Sequence, residues 1–196
     1  MKNEKLLQQI DFIREIDKIK YIQRKTKLFN SDRRENDAEH SWHLAMMAMV
    51  LHEHSDDPVD LLKVIKMVLI HDIVEIDAGD TFIYDQHKNH DNTDEEMKGA
   101  ERIFGLLPEA QAKEMMELWK EFEAGHSNEA KFAKSMDRLE PLLQNVSNNG
   151  GTWKEFGVKY QAVYNKKKVI EQGSNSLWEY AEELLDKSVE RGILKK

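Results

Sequence analysis

VIKMVLIHDIVEIDAGD, residues 64–80, begins as an apolar run and ends in an imidazole and a string of carboxylates. His71 and Asp72 stand side by side where a helix would normally bury its greasiest face. Glu75 lies four residues after His71 and three after Asp72, so all three side chains crowd one sector of the helix end. Burying such groups without partners costs on the order of several kcal/mol each. A cation held between them would satisfy them, and the rest of the chain must then supply the other ligands.

The chain has 196 residues, enough for one domain with a real core. Hydrophobic residues make up 40% and charged residues 34%, and no apolar run reaches the length of a membrane span, so a soluble, folded protein with no membrane partner is expected. The N-terminus alternates charged with apolar residues and lacks the apolar core of a signal peptide. With no cysteine, disulfides and thiolate metal sites are excluded. A metal here must use histidine and carboxylate, and the cytoplasm is the expected compartment. The net charge of −8 argues against a broad nucleic-acid footprint, while leaving room for a small anionic substrate beside a few well-placed basic residues.

Only three prolines and nine glycines punctuate the chain, and apolar residues recur at three and four. An all-α fold is therefore expected, a compact multi-helix bundle. Helices are predicted over 4–24, over 39–54, and over roughly 59–77 after the break at Asp56, Asp57 and Pro58. Gly79 is expected to stop the third. The polar stretch 84–92 reads as a loop. Thr93 with Glu96 forms a capping box for the next helix, and Pro108 suits the first position of another. Ser127 caps a long helix that carries Asp137 in an apolar face, with Pro141 as its candidate kink. SNNGG at 147–151 is the best linker candidate, Thr152 with Glu155 is a second capping box, and the last helix runs from about 176 to 190. Lys166, Lys167 and Lys168 read as a solvated face. Met46, Met47 and Met49 read as core filler. Trp153, Phe156 and Tyr160 recur at three and four, as a packing face or a dimer surface.

His40, in AEHSWH, precedes the apolar run LAMMAMV and so stands at another border between polar and buried residues. Singly, such a histidine reads as a cap or a core residue. Two imidazoles and two carboxylates from three helices would instead make a mixed nitrogen and oxygen site, suited to Mn, Co, Fe, Ni or Zn rather than Ca. His43 shares the face of His40, either supporting it or packing beside Trp42. His87, His90 and His126 fall in loops and read as surface histidines.

The order H…HD…D on helices resembles the HD-domain superfamily of metal-dependent phosphohydrolases. ENDAEHSWHLA and LIHDIVEIDAGD are similar to the local signatures of its 5'-deoxynucleotidase branch, over about residues 19–146. The resemblance implies a single HD domain over 1–196, with C-terminal helices at about 152–190 packing on the motif-bearing core. It implies His40, His71, Asp72 and Asp137 as ligands of one divalent transition metal, and Glu75 and Asp80 as catalytic acids. Arg24 and Lys20 fall where that branch keeps basic residues toward the substrate phosphate. An aromatic residue follows the arginine in that branch, whereas this chain has Lys25, Thr26 and Lys27. The expected substrate is a nucleoside 5'-monophosphate and the expected assembly a homodimer. The alternatives are hydrolysis of another phosphate ester, such as a cyclic nucleotide, a nucleoside triphosphate or a phosphosugar, and metal-stabilised sensing without turnover.

Overall fold

The computed structural model describes residues 2–85 and 94–196. In chain order the elements are α1 (Lys2–Ile16), β1 (Gln23–Lys27), β2 (Arg34–Asn36), α2 (Asp37–Leu51), α3 (Leu61–Ile70), α4 (Glu75–Ala78), α5 (Asp94–Phe104), α6 (Glu109–Ala124), α7 (Asn128–Ser147), α8 (Gly151–Glu155), α9 (Tyr160–Lys167) and α10 (Asn175–Glu190). The all-α expectation holds apart from one small antiparallel hairpin, β1 with β2.

The hairpin corrects the first predicted helix, which ends at Ile16 and gives way to a 3-10 turn at Asp17–Tyr21. On β1 the inward positions are Arg24 and Thr26, both polar, so hydropathy carried no two-residue alternation to betray a strand. The other boundaries shift for local reasons. Asn36 caps α2 through a full capping box with Glu39. Asp60 caps α3 by accepting from the amides of Leu62 and Lys63. The third predicted helix breaks after Ile70 into a turn and resumes as α4. Gly79, with φ of 74°, ends that turn in a conformation that side chains resist. Pro108 is the residue before α6 rather than its first. The capping box expected at Thr93 lies outside the described residues.

α7 is the axis of the molecule. Ala130, Phe132, Ala133, Met136, Leu139 and Leu142 are all buried on it, and it packs against α2, α3 and α6. Burying side chains such as Leu139 or Phe132 is worth roughly 1.5–3 kcal/mol each. Ser127 caps it as expected. Pro141 lies inside α7 and has no amide to return to the carbonyl of Asp137, yet the helix runs on through it.

SNNGG is a tight corner, not a linker. Asn148 donates to the carbonyl of Leu28 at 2.8 Å and accepts from the amide of Ser31, clipping the hairpin loop to the end of α7. Thr152 caps nothing: it lies within α8, and both its amide and its hydroxyl donate to Asn145. Farther on, a side chain at Gly173 would meet Ser135 Oγ at 2.5 Å and the carbonyl of Lys131 at 2.7 Å. This close approach seats the start of α10 against α7. Met47 is buried, but Met46 and Met49 are exposed. Trp153 is buried, whereas Phe156 is exposed and meets the ring of Phe82 at 4.7 Å. No described helix is long and apolar enough to cross a membrane.

Candidate active site

The first turn of α2, the end of α3 and the middle of α7 bring His40, His71, Asp72 and Asp137 together. His40 Nε2 lies 3.2 Å from Asp137 Oδ1 and 4.0 Å from Asp72 Oδ2. His71 Nε2 lies 3.0 Å from Asp72 Oδ1 and 3.9 Å from Asp137 Oδ1. Ligand atoms about 2.1 Å from a common ion sit roughly 3–3.5 Å apart when adjacent and about 4.2 Å when opposite, so these spacings suit one ion.

The chemistry of the donors points the same way. The Nδ1–H of His71 donates to the carbonyl of Val68 at 2.9 Å, which turns Nε2 toward the carboxylates. That buried Nε2 has no hydrogen-bond partner. Burial and Arg24 oppose a charge on His40, yet Asp137, Glu140 and Glu35 hold it well above the usual imidazole range. Against burial, which alone would raise it, His71 and Arg24 hold Asp72 down to about 2. The four side chains fit a divalent metal, whose binding would displace the proton from His40.

Behind His40, two further carboxylates support the ring. Its Nδ1 lies 3.3 Å from Glu140 and 3.4 Å from Glu35. A carboxylate on the remote nitrogen fixes the tautomer that presents Nε2 to a metal. His43 also faces Glu140 at 3.3 Å and meets the rings of Phe29 and Trp42, so it both supports and packs.

Arg24 is nearly buried and threads between acids. Its guanidinium lies 2.9 Å from Asp72, 3.3 Å from Asp37, 3.9 Å from Asp80 and 3.5 Å from Glu35. Burial works against its charge, and Asp72, Asp80 and Asp37 more than offset this, holding it well above its ordinary range. Glu75 and Asp80 reach the same place from α4 and the Gly79 turn. Burial first, then Asp72, Asp37 and Asp80, push the Glu75 carboxyl well above the usual range, and burial with Asp72 pushes Asp37 up to about 7. Arg24, Asp72, Glu75 and Asp80 open on a cavity of about 450 Å³, also lined by Thr26, Phe82, Tyr84, Arg138, Asn145 and Lys167.

Lys20 is not brought here. It projects from the 3-10 turn into solvent and pairs with Asp17, because that turn rotates it away from the face Arg24 occupies. His126 is exposed, while His87 and His90 lie outside the described residues. Sequence reasoning missed Glu35, Asp37, Glu140, Arg138 and Lys167. Glu140 carried a usable signal, since it is an acid three residues after Asp137 on the same apolar face. The Lys167 signal was its spacing from Val163 and Ile170, both buried.

The HD-domain family model matches residues 16–178. Among curated proteins, 5'-deoxynucleotidase HDDC2 of Homo sapiens is 33% identical over 136 residues, covering 69% of this chain and 65% of that protein. The Mus musculus protein of the same name is 32% identical, covering 74% of each. Among solved structures, one described as a predicted metal-dependent phosphohydrolase from Magnetospirillum magnetotacticum MS-1 is 50% identical. It superposes with a TM-score of 0.92, covering 98% of this chain and 100% of that one. With the HD pair and its partners gathered at one cavity, and with this extent of match, the chain belongs to the HD-domain family.

Proposed function

We propose that this chain is a metal-dependent phosphohydrolase that removes the 5'-phosphate of nucleoside monophosphates. The observation that carries the reading is one cavity lined by His71, Asp72 and Asp137, with His40 buried 3.2 Å from Asp137, where this donor set adjoins Arg24 and the acids Glu75 and Asp80. Sensing alone would need no such second group of acids. The relatives named 5'-deoxynucleotidase support the nucleotide as substrate.

His40, His71, Asp72 and Asp137 would hold one ion of Mn, Co, Fe, Ni or Zn. Such an ion, when bound, polarises a phosphoryl oxygen and makes hydroxide available near neutral pH. Arg24 offsets the charge that builds on the equatorial oxygens during in-line displacement. Glu75 and Asp80 move the two protons the reaction needs, one from the attacking water and one to the departing 5' oxygen. Thr26 faces the cavity from the inward side of β1, while Phe82 and Tyr84 supply an aromatic wall for sugar and base. They stand in for the aromatic residue absent after Arg24. A homodimer in the cytoplasm completes the proposal.

The test is phosphate release from ribo- and deoxyribonucleoside 5'-monophosphates, 3'-monophosphates, cyclic nucleotides and phosphosugars. Each is run with Mn, Co, Fe, Ni, Zn or chelator, beside Asp72→Ala. Release confined to 5'-monophosphates and lost with chelator and in the variant supports the assignment. One metal per chain with no release from any 5'-monophosphate sinks it.

A further inference from the structure

Lys167 is the last residue of α9, on the inward stripe that also buries Val163 and Ile170. Its side chain is 2% exposed, and among the described residues it makes no hydrogen bond or ion pair. A buried ammonium without a partner is rare, because desolvation disfavours the charge strongly. Burial, followed by the nearby charge of Arg138, pulls its pKa down to about 7. A lysine kept there only for packing would be served better by leucine or methionine.

The side chain is nonetheless not enclosed in apolar core. It lines the same cavity as Arg138, Arg24 and Asp137, together with Asn145 and Thr152. Arg138 spends one nitrogen on Asp137 at 2.5 Å and keeps its side chain partly exposed. Two cationic groups, from α7 and α9, therefore line the cavity that Arg24 also lines. The carboxylates near Arg24 are already engaged with it, so the α7 and α9 wall is the side on which an anion would find unspent positive charge.

We infer that Lys167, with Arg138, forms an anion-binding wall that holds the phosphoryl group of bound substrate together with Arg24. This deepens the phosphohydrolase reading and rests on it for the identity of the anion. Lys167 donates to a phosphoryl oxygen and takes no part in proton transfer.

The experiment measures inorganic phosphate binding to the metal-loaded protein by calorimetry, and 5'-mononucleotide kinetics, for wild type and Lys167→Met. Charge-assisted hydrogen bonds of this kind are worth about tenfold to a hundredfold in affinity. The phosphate Kd and the KM should therefore rise by about that factor, with metal content unchanged. Arg138→Met should weaken phosphate in the same direction. If Lys167→Met does not fold, Lys167→Gln reads the same quantity. Phosphate affinity within twofold of wild type in the folded Lys167 variant overturns the inference. Were wild type to bind phosphate through Lys167 yet cleave no 5'-monophosphate, the anion wall would stand and the substrate assignment would fall. Were the variant to cleave 5'-monophosphates with an unchanged KM and an unchanged phosphate Kd, the substrate assignment would stand and the anion wall would fall.

Discussion

Glu140→Gln tests how the metal site is built, because it changes one charge while conserving shape. Glu140 is fully buried, and its carboxylate lies 3.3 Å from His40 Nδ1 and 3.3 Å from His43 Nδ1. Burial alone would raise its pKa, but His40 and His43 hold it down to about 2, so it is ionised at any working pH. Carboxylates behind a metal-bound histidine typically contribute about 10–100-fold in metal affinity. Glu35 remains 3.4 Å from the same nitrogen, and glutamine can still accept a hydrogen bond. The single variant should therefore lie at the low end, about a tenfold rise in metal Kd, or about 1.4 kcal/mol. Glu35→Gln combined with Glu140→Gln should approach a hundredfold. The metal-free protein should also lose stability near neutral pH, because there the ionised Glu140 pairs with a protonated His40 and with His43, and glutamine cannot replace that charge. Competition against a chromogenic chelator gives the Kd, and urea unfolding of the chelated protein gives the stability. Metal affinity within twofold of wild type in the double variant would falsify the argument that these acids orient His40.

Arg24→Met should keep its metal and lower kcat/KM for 5'-monophosphates by at least about a hundredfold, as expected for loss of a buried cation at the phosphoryl group; steady-state kinetics with parallel metal analysis check this. Glu75→Gln and Asp80→Asn should each lower kcat by about 10²–10⁴-fold while retaining the ion, which separates proton transfer from metal binding. Saturating metal at about a hundred times its Kd should stabilise the fold by about 2.7 kcal/mol, read as a higher thermal midpoint that chelator reverses. The Lys167 amine is lowered from 10.5 to about 7, so between those values the unfolded chain binds a proton that the folded one does not. Stability of the chelated protein should therefore rise with pH across that window, and Lys167→Met should flatten the rise in urea midpoints taken at pH 7 and 9.5.

The metal-binding proposal was legible because HD, EHS and the embedded Asp137 place ionisable groups at the ends and on the faces of helices that are otherwise apolar. Such misfits show in one dimension. Arg24 could be named only by likeness, since its role depends on a strand whose inward residues are polar. Glu35 was hidden in the partner strand, β2, whose three residues are all polar. Lys167 was misread because three lysines in a row look solvated, and a helix rotates each of them by about 100° from the next. Only the packing of α9 on α7 turns the middle one inward. Asp37 was in plain view inside ENDAEHS, but helix starts commonly carry acids, so its position gave no hint that it touches Arg24.

The hairpin that carries Arg24 imposes an arithmetic of its own. Gln23 pairs with Asn36 and Lys27 with Arg34, so β1 takes four steps where β2 takes two. The surplus is even, and evenness keeps Arg24 and Thr26 on the inner face. Adding or deleting one residue upstream of Arg24 within β1, while its pairing with β2 is held, would turn the arginine to solvent and bring a neighbour inward. A change of two would leave the face intact. Homologous chains should therefore vary in this segment by pairs of residues, and alignments across it are better anchored on Glu35 and Asn36 than on the arginine itself.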